Sequence, residues 1–162
     1  MWEINCRLKI GKKWYLTQNK MYIGRYYHKI EKEGRVSIPK AFRQEVREWI
    51  VTRGLDGGLF LFASQDFQTQ IQDLAKRTFT KKNDRDFVRY MTNDAYQIEV
   101  DNNGRVLLPE YLKKFANLNK DVVIVGSYNR IEIWDVSLYH QYIDQIEQQA
   151  ERLAENIYEY QD

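Results

Sequence analysis

The chain has 162 residues, 43% hydrophobic and 14% aromatic, with only two prolines, a composition that supports a packed core and excludes an intrinsically disordered chain. The net charge is only +2, yet residues 1–50 hold 12 Lys/Arg against 5 Asp/Glu while residues 51–162 hold 13 against 18, so the basic end suits a polyanion, an acidic protein or a membrane surface. A single cysteine, Cys6, excludes an intrachain disulfide, and His28 and His140 form no metal-ligand pattern, so no metal or cofactor is expected.

Residues 1–20 stand apart. Ile4, Cys6, Leu8 and Ile10 alternate with Glu3, Asn5, Arg7 and Lys9, the period of a half-buried strand. Gly11-Lys12-Lys13 is placed to turn it into a second strand at Trp14–Leu16. Three readings stay open for this extension: an added hairpin, a basic arm, or sequence upstream of a true start at Met21. Its charges interrupt the apolar stretch a signal peptide needs, and no apolar run approaches membrane-spanning length, so a cytoplasmic location is expected.

From residue 30 the chain repeats itself. Ile30-Glu31-Lys32-Glu33-Gly34-Arg35-Val36-Ser37-Ile38-Pro39 aligns with Val100-Asp101-Asn102-Asn103-Gly104-Arg105-Val106-Leu107-Leu108-Pro109 at an offset of 70. Short helix-like stretches follow, Lys40–Trp49 and Glu110–Asn117. After a two-residue slip, the strands Trp49–Val51 and Leu59–Phe62 match Val122–Val125 and Ile131–Trp134. Each unit thus reads strand, tight turn, strand, short helix, strand, turn, strand, helix. Both prolines fall just before the short helices, where a missing N–H costs nothing.

Gly34 and Gly104 supply the positive φ of a short antiparallel connection. A plain hairpin turn, with each arginine paired to the acid four residues earlier, accounts for Glu31, Gly34, Asp101 and Gly104 as turn braces. It accounts less well for an arginine at the same place in both turns, Arg35 and Arg105. Two such arginines in a pseudo-symmetric unit are expected on the same side, spaced to straddle phosphates. The glycine-rich stretch Arg53–Gly58 lacks the Lys-Ser/Thr of a phosphate loop and runs into a strand, so a loop is expected.

Between the repeats, Asp66–Arg77 reads as an amphipathic helix and Thr80–Met91 as a second. The basic residues of the second, Lys81, Lys82, Arg85 and Arg89, interleave with Asp84 and Asp86, as on a solvated face. Ser137–Tyr158 reads as one longer helix with an apolar stripe from Leu138 to Ile157 and an acidic stripe at Glu147, Glu151, Glu155 and Glu159. This acidic end is expected to point away from a polyanion.

The blocks Met21–Gly24, Glu31–Pro39, Val51–Leu59, Asp101–Pro109, Val123–Gly126 and Arg130–Trp134 together resemble the bacterial MraZ family, in the family's order and from Met21 to about Ala154. The resemblance implies a mixed α+β, β-rich fold in which two tandem swapped-hairpin units of the AbrB/SpoVT type form one barrel-like body with helices around it. It divides the chain into the extension 1–20, a first unit 21–78, a connecting helix 79–95 and a second unit 96–162. It implies a sequence-specific transcriptional regulator that binds direct repeats in double-stranded DNA as a homo-oligomeric ring. The DNA lies upstream of the division and cell-wall cluster holding its own gene, which such proteins typically repress. A cytoplasmic, nucleoid-associated location follows, with no membrane partner.

The family motif Asp-x-x-x-Arg is intact at Asp101 and Arg105, whereas Glu31 stands in place of the first Asp before Arg35. The resemblance implies that Arg35 and Arg105 contact DNA. Lys29 and Lys32, beside the first turn, are further candidates for phosphate contact. Two rival classes remain. An AbrB-like antitoxin or protein-interaction module would use a disordered tail, where this sequence reads as a regular helix. An enzyme would need a nucleophile–base pair or metal cluster that the sequence does not supply, although Asp56 and Asp101 are carboxylates a pocket could hold.

Overall fold

A computed structural model describes residues 7–10, 13–16, 21–44, 46–78 and 80–159. Its elements, in chain order, are β1 (Arg7–Ile10), β2 (Lys13–Leu16), β3 (Tyr22–Lys29), β4 (Arg35–Ser37), α1 (Lys40–Arg43), β5 (Glu48–Arg53), β6 (Leu59–Ala63), α2 (Ser64–Thr78) and α3 (Lys82–Asn93). The second half adds β7 (Tyr96–Glu99), β8 (Arg105–Leu107), α4 (Glu110–Phe115), β9 (Asp121–Tyr128), β10 (Ile131–Asp135), α5 (Val136–Glu147) and α6 (Ala150–Glu159). The fold is mixed α+β, with an antiparallel six-stranded sheet and six helices among the described residues. In the N-terminal extension β1 pairs antiparallel with β2, Arg7 opposite Leu16. Ile4 and Cys6 lie outside the described residues.

The large sheet runs β3-β9-β10-β6-β5-β7. Under the internal repeat, with its two-residue slip, β3 corresponds to β7, β5 to β9 and β6 to β10, so exchanging the halves reverses the order and leaves it unchanged. The first strand of each half pairs with the third strand of the other, β3 with β9 and β7 with β5. The second strands pair with one another as a separate ribbon, β4 with β8. A barrel-like body was the expectation, but among the described residues hydrogen bonding does not close the sheet. Its ends, β3 and β7, pair only inward, and the strands that follow them are used in the ribbon.

Burial explains why the central strands are apolar on both faces. On one face Val51, Leu59, Leu61, Val122, Ile124, Ile131 and Ile133 join Val36, Ile38 and Val106 of the ribbon region, with Phe42 of α1 and Leu112 of α4, in the main core. On the other face Val123, Val125 and Trp134 pack under Tyr139 of α5, and Phe60 and Phe62 under Phe67, Ile71 and Met91 of α2 and α3. The core is therefore shared by both halves.

Two helices differ from the expected spans. The stretch Lys40–Trp49 is helical only to Arg43, because Trp49 is drawn wholly into the sheet opposite Ala63 and Ile98. The C-terminal stretch is two helices, since the Gln149 N–H bonds to the Ile146 carbonyl three residues back, at 3.0 Å, and tightens the last turn of α5. Residues 151–157 of α6 are all exposed.

One buried polar contact joins sheet to helix. The Thr52 hydroxyl donates to the Met91 carbonyl at 2.8 Å in a fully buried setting, satisfying one of the last carbonyls of α3. Thr52→Val keeps the shape and removes the donor. It is expected to destabilise the fold by about 1–3 kcal/mol, read as a lowered denaturation midpoint with unchanged secondary structure.

Candidate nucleic-acid interface

The two glycine turns form the same local structure. In the first, Glu31 N–H donates to the Arg35 carbonyl at 2.8 Å and Gly34 N–H to the Glu31 carbonyl at 2.9 Å. In the second, Asp101 N–H donates to the Arg105 carbonyl at 2.8 Å and Gly104 N–H to the Asp101 carbonyl at 2.9 Å. Gly34 and Gly104 have φ of +80° and +79°, the left-handed region that costs other residues most.

The ribbon sets the turns beside each other. Val36 pairs with Val106, both fully buried, and Ile38 N–H reaches the Gly104 carbonyl at 3.0 Å while Leu108 N–H reaches the Gly34 carbonyl at 3.2 Å. Arg35 and Arg105, one residue from that valine pair, therefore emerge together. Both guanidiniums approach the same carboxylate oxygen, Asp101 Oδ2, with Arg105 Nε at 3.0 Å and Arg35 Nη1 at 3.5 Å.

The four carboxylate and arginine groups are not arranged as two equal pairs. Asp101 Oδ1 accepts the N–H groups of Asn103 and Arg105, each at 2.9 Å, and Oδ2 accepts Arg105 Nε. The Arg105 backbone N–H is the largest cause holding the Asp101 carboxyl below the usual carboxylate range, with the guanidinium adding to it. The hydrogen bond to Asp101 in turn pushes the Arg105 guanidinium up. Glu31, one methylene longer, points across the ribbon and accepts from Arg105 Nη1 at 2.9 Å. Arg35 lies 3.6 Å from Glu33 and 3.5 Å from Asp101, beyond the range of a short charge-assisted bond. The arginine-to-acid pairing four residues back thus holds in the second turn, and in the first it is replaced by a loose contact to Glu33 two residues back and by contacts that cross between turns.

Two further cations belong to this site, and the motif reading did not single them out. A methyl group added at Gly34 would lie 2.8 Å from Lys113 Nζ, and one at Gly104 would meet the Arg43 guanidinium. Arg43 and Lys113 are themselves 70 residues apart, on α1 and α4, and each lies against the turn of the opposite half. Lys113 is also paired to Glu110 at 2.6 Å. Their shared offset was the available signal, but nothing in a single helix marks which turn it will cover. Lys32 is exposed on the first turn, while Lys29, at the end of β3, lies 3.7 Å from Asp121 on the neighbouring strand.

Gly104→Ala is expected to cost about 1–3 kcal/mol, from positive φ together with displacement of Arg43. A chemical denaturation curve checks this, and a midpoint equal to the parent chain's would contradict it. Elsewhere, Leu55, Phe60, Phe67, Leu74 and Phe87 line a largely apolar cavity of about 220 Å³, with Asp56 and Arg130 also in its lining. No group of His, Cys, Asp or Glu among the described residues is arranged to hold a metal ion, and no described helix is long and apolar enough to cross a membrane.

A family model described as "MraZ protein, putative antitoxin-like" matches the chain twice, over residues 21–90 and 91–157. A protein of Pediococcus pentosaceus named transcriptional regulator MraZ is 36% identical over 141 residues, covering 86% of this chain and 99% of that protein. Proteins of the same name from Moorella thermoacetica and Clostridium tetani are 38% and 39% identical, covering 86% and 83% of this chain and 99% and 98% of theirs.

Proposed function

The chain belongs to the MraZ family, and from that premise we propose that it is a transcriptional regulator that binds double-stranded DNA through its paired glycine–arginine turns. The observation that carries this is the β4–β8 ribbon, which brings Arg35 and Arg105 from two halves of the chain onto one carboxylate. Two guanidiniums held together and partly exposed, with Arg43 and Lys113 against the same turns, make a compact cluster of donors for phosphates or guanine edges once their carboxylate partners give way. Lys32 extends the cluster along the first turn. Lys29, held at the sheet edge by Asp121, is a secondary contact. Gly34, Asp101 and Gly104 shape the turns and Glu31 holds Arg105 across the ribbon; none of the four touches DNA.

In this reading residues 21–78 and 96–162 are tandem AbrB-like units with exchanged first strands, joined by 79–95, and the extension that carries the β1–β2 pair lies outside the family match. Two arginines per subunit give few phosphate contacts, so affinity comes from several subunits of a homo-oligomeric ring engaging tandem repeats at once. Repeats about 10 bp apart keep successive sites on one face of the duplex. The exposed stripe of Leu153 and Ile157 on α6 and the outer edges of β3 and β7 are surfaces a neighbouring copy would cover. The target is the region upstream of the protein's own gene and its cell-wall and division cluster, the outcome is repression, and the setting is the cytoplasm and nucleoid. No catalytic role is assigned. The antitoxin-like description favours a protein partner as second reading, with α6 as its docking helix.

Gel-shift titration of the upstream fragment tests this. Retention of the intact repeats, competed by unlabelled repeats but not by a scrambled fragment of equal length, is the expected result. Equal retention of both would remove the sequence-specific reading.

A further inference from the structure

We propose that Glu31 restrains Arg105 in the free protein and thereby sets the affinity of the DNA-binding face, an inference that rests on the DNA reading above. The two turns share one backbone geometry, yet their acids do different work. Asp101 is short enough to fold onto its own turn, taking two backbone N–H groups with one oxygen and Arg105 Nε with the other. Glu31 does not repeat that brace among the described residues. Its Oε2 instead accepts from Arg105 Nη1 at 2.9 Å, across 74 residues of sequence.

Arg105 is consequently held at both ends of its guanidinium, by Asp101 on Nε and by Glu31 on Nη1. The Asp101 bond does not obstruct recognition, because it leaves the outer nitrogens to face outward, as bidentate contact needs. The Glu31 bond does obstruct it: Nη1 has to leave Glu31 before it meets a phosphate or a guanine edge. Arg35 faces no such exchange, since its ion contacts, at 3.5 and 3.6 Å, are loose. The halves therefore act in order, Arg35 engaging directly and Arg105 following once Glu31 has swung away. Glu31 is a positioning residue that acts through Arg105.

The test is a double-mutant cycle in the full chain, read as the dissociation constant on the upstream repeats at fixed salt. Glu31→Gln keeps the length and removes the competing charge, and is expected to tighten binding about threefold to tenfold. Glu31→Asp, which shortens the acid towards the brace geometry of Asp101, is expected to tighten it as well. Glu33→Gln controls for removing any negative charge near DNA, because Glu33 is highly exposed on the same turn and its ion pair is with Arg35. In an Arg105→Ala background, Glu31→Gln should gain no more than Glu33→Gln does. A gain that persists in full without Arg105, or binding by Glu31→Gln no tighter than the parent while Arg105→Ala still weakens it, would overturn the proposal. If Arg105→Ala binds as well as the parent, Arg105 is not a DNA contact and this inference falls, while the DNA reading then stands or falls on Arg35→Ala.

Discussion

The double variant Arg35→Ala/Arg105→Ala is expected to lose specific DNA binding while keeping its fold. A guanidinium that reads a base edge or neutralises a phosphate contributes about 1–3 kcal/mol per contact, so each single variant should weaken one engaged subunit roughly 5- to 150-fold. Several subunits engaging tandem repeats compound that loss through effective concentration. Stability should change little, because both side chains are partly solvent-exposed and ion pairs of that kind are worth little. The two singles should differ slightly. Arg105→Ala leaves Glu31 without its ion pair and Asp101 with only its backbone bonds and the loose Arg35 contact, whereas Arg35→Ala removes only long contacts. Fluorescence anisotropy on labelled repeats, beside circular dichroism and denaturation of the same samples, separates the two effects. A double variant that is folded and binds unchanged would place the interface elsewhere.

The largest expected effect on stability is Trp49→Ala. Trp49 is fully buried at the centre of the shared core, opposite Ala63 of its own half and Ile98 of the exchanged strand β7, with its ring 5.7 Å from that of Tyr22 on β3. Truncation removes the side chain and leaves a cavity that strand pairing keeps from collapsing, at a cost of about 3–5 kcal/mol. Against a total stability of about 5–15 kcal/mol, that is a large share, and because β5 joins both halves the loss should appear as one cooperative transition. Trp49→Phe should cost much less: the indole N–H is buried without a partner among the described residues, and Phe removes that unsatisfied donor. Urea midpoints at equal protein concentration measure both. A Trp49→Ala cost below about 1 kcal/mol would mean that this core is not the fold's keystone.

The turns were the most legible part of this protein. Gly34 and Gly104 need positive φ, and glycine at a fixed offset announces both turn and repeat. The short helices after Pro39 and Pro109 and the strands Leu59–Ala63 and Ile131–Asp135 were readable for the same reason, as local patterns with local causes. What the pattern could not show is which strand pairs with which. The exchange of β3 and β7 follows from the shared core, and period-2 alternation is the same whichever partner a strand takes. For that reason the open sheet ends were not foreseen, nor were Arg43 and Lys113 against the opposite turns. The cross-ribbon bond from Arg105 to Glu31 was hidden by the motif itself, which suggests a partner four residues back. The break between α5 and α6 had no Gly or Pro to mark it: Gln148 and Gln149 are ordinary helix formers.

The salt dependence of repeat binding tests the central claim most directly. Removing one phosphate-neutralising cation makes the slope of log K against log salt shallower by about 0.9 on duplex DNA. If the paired turns are the interface, Arg35→Ala and Arg105→Ala will each flatten the slope, or lower affinity at constant slope where the arginine reads a base, and the double variant will retain only weak, sequence-independent binding. Slopes and affinities unchanged from the parent in both single variants would contradict the account.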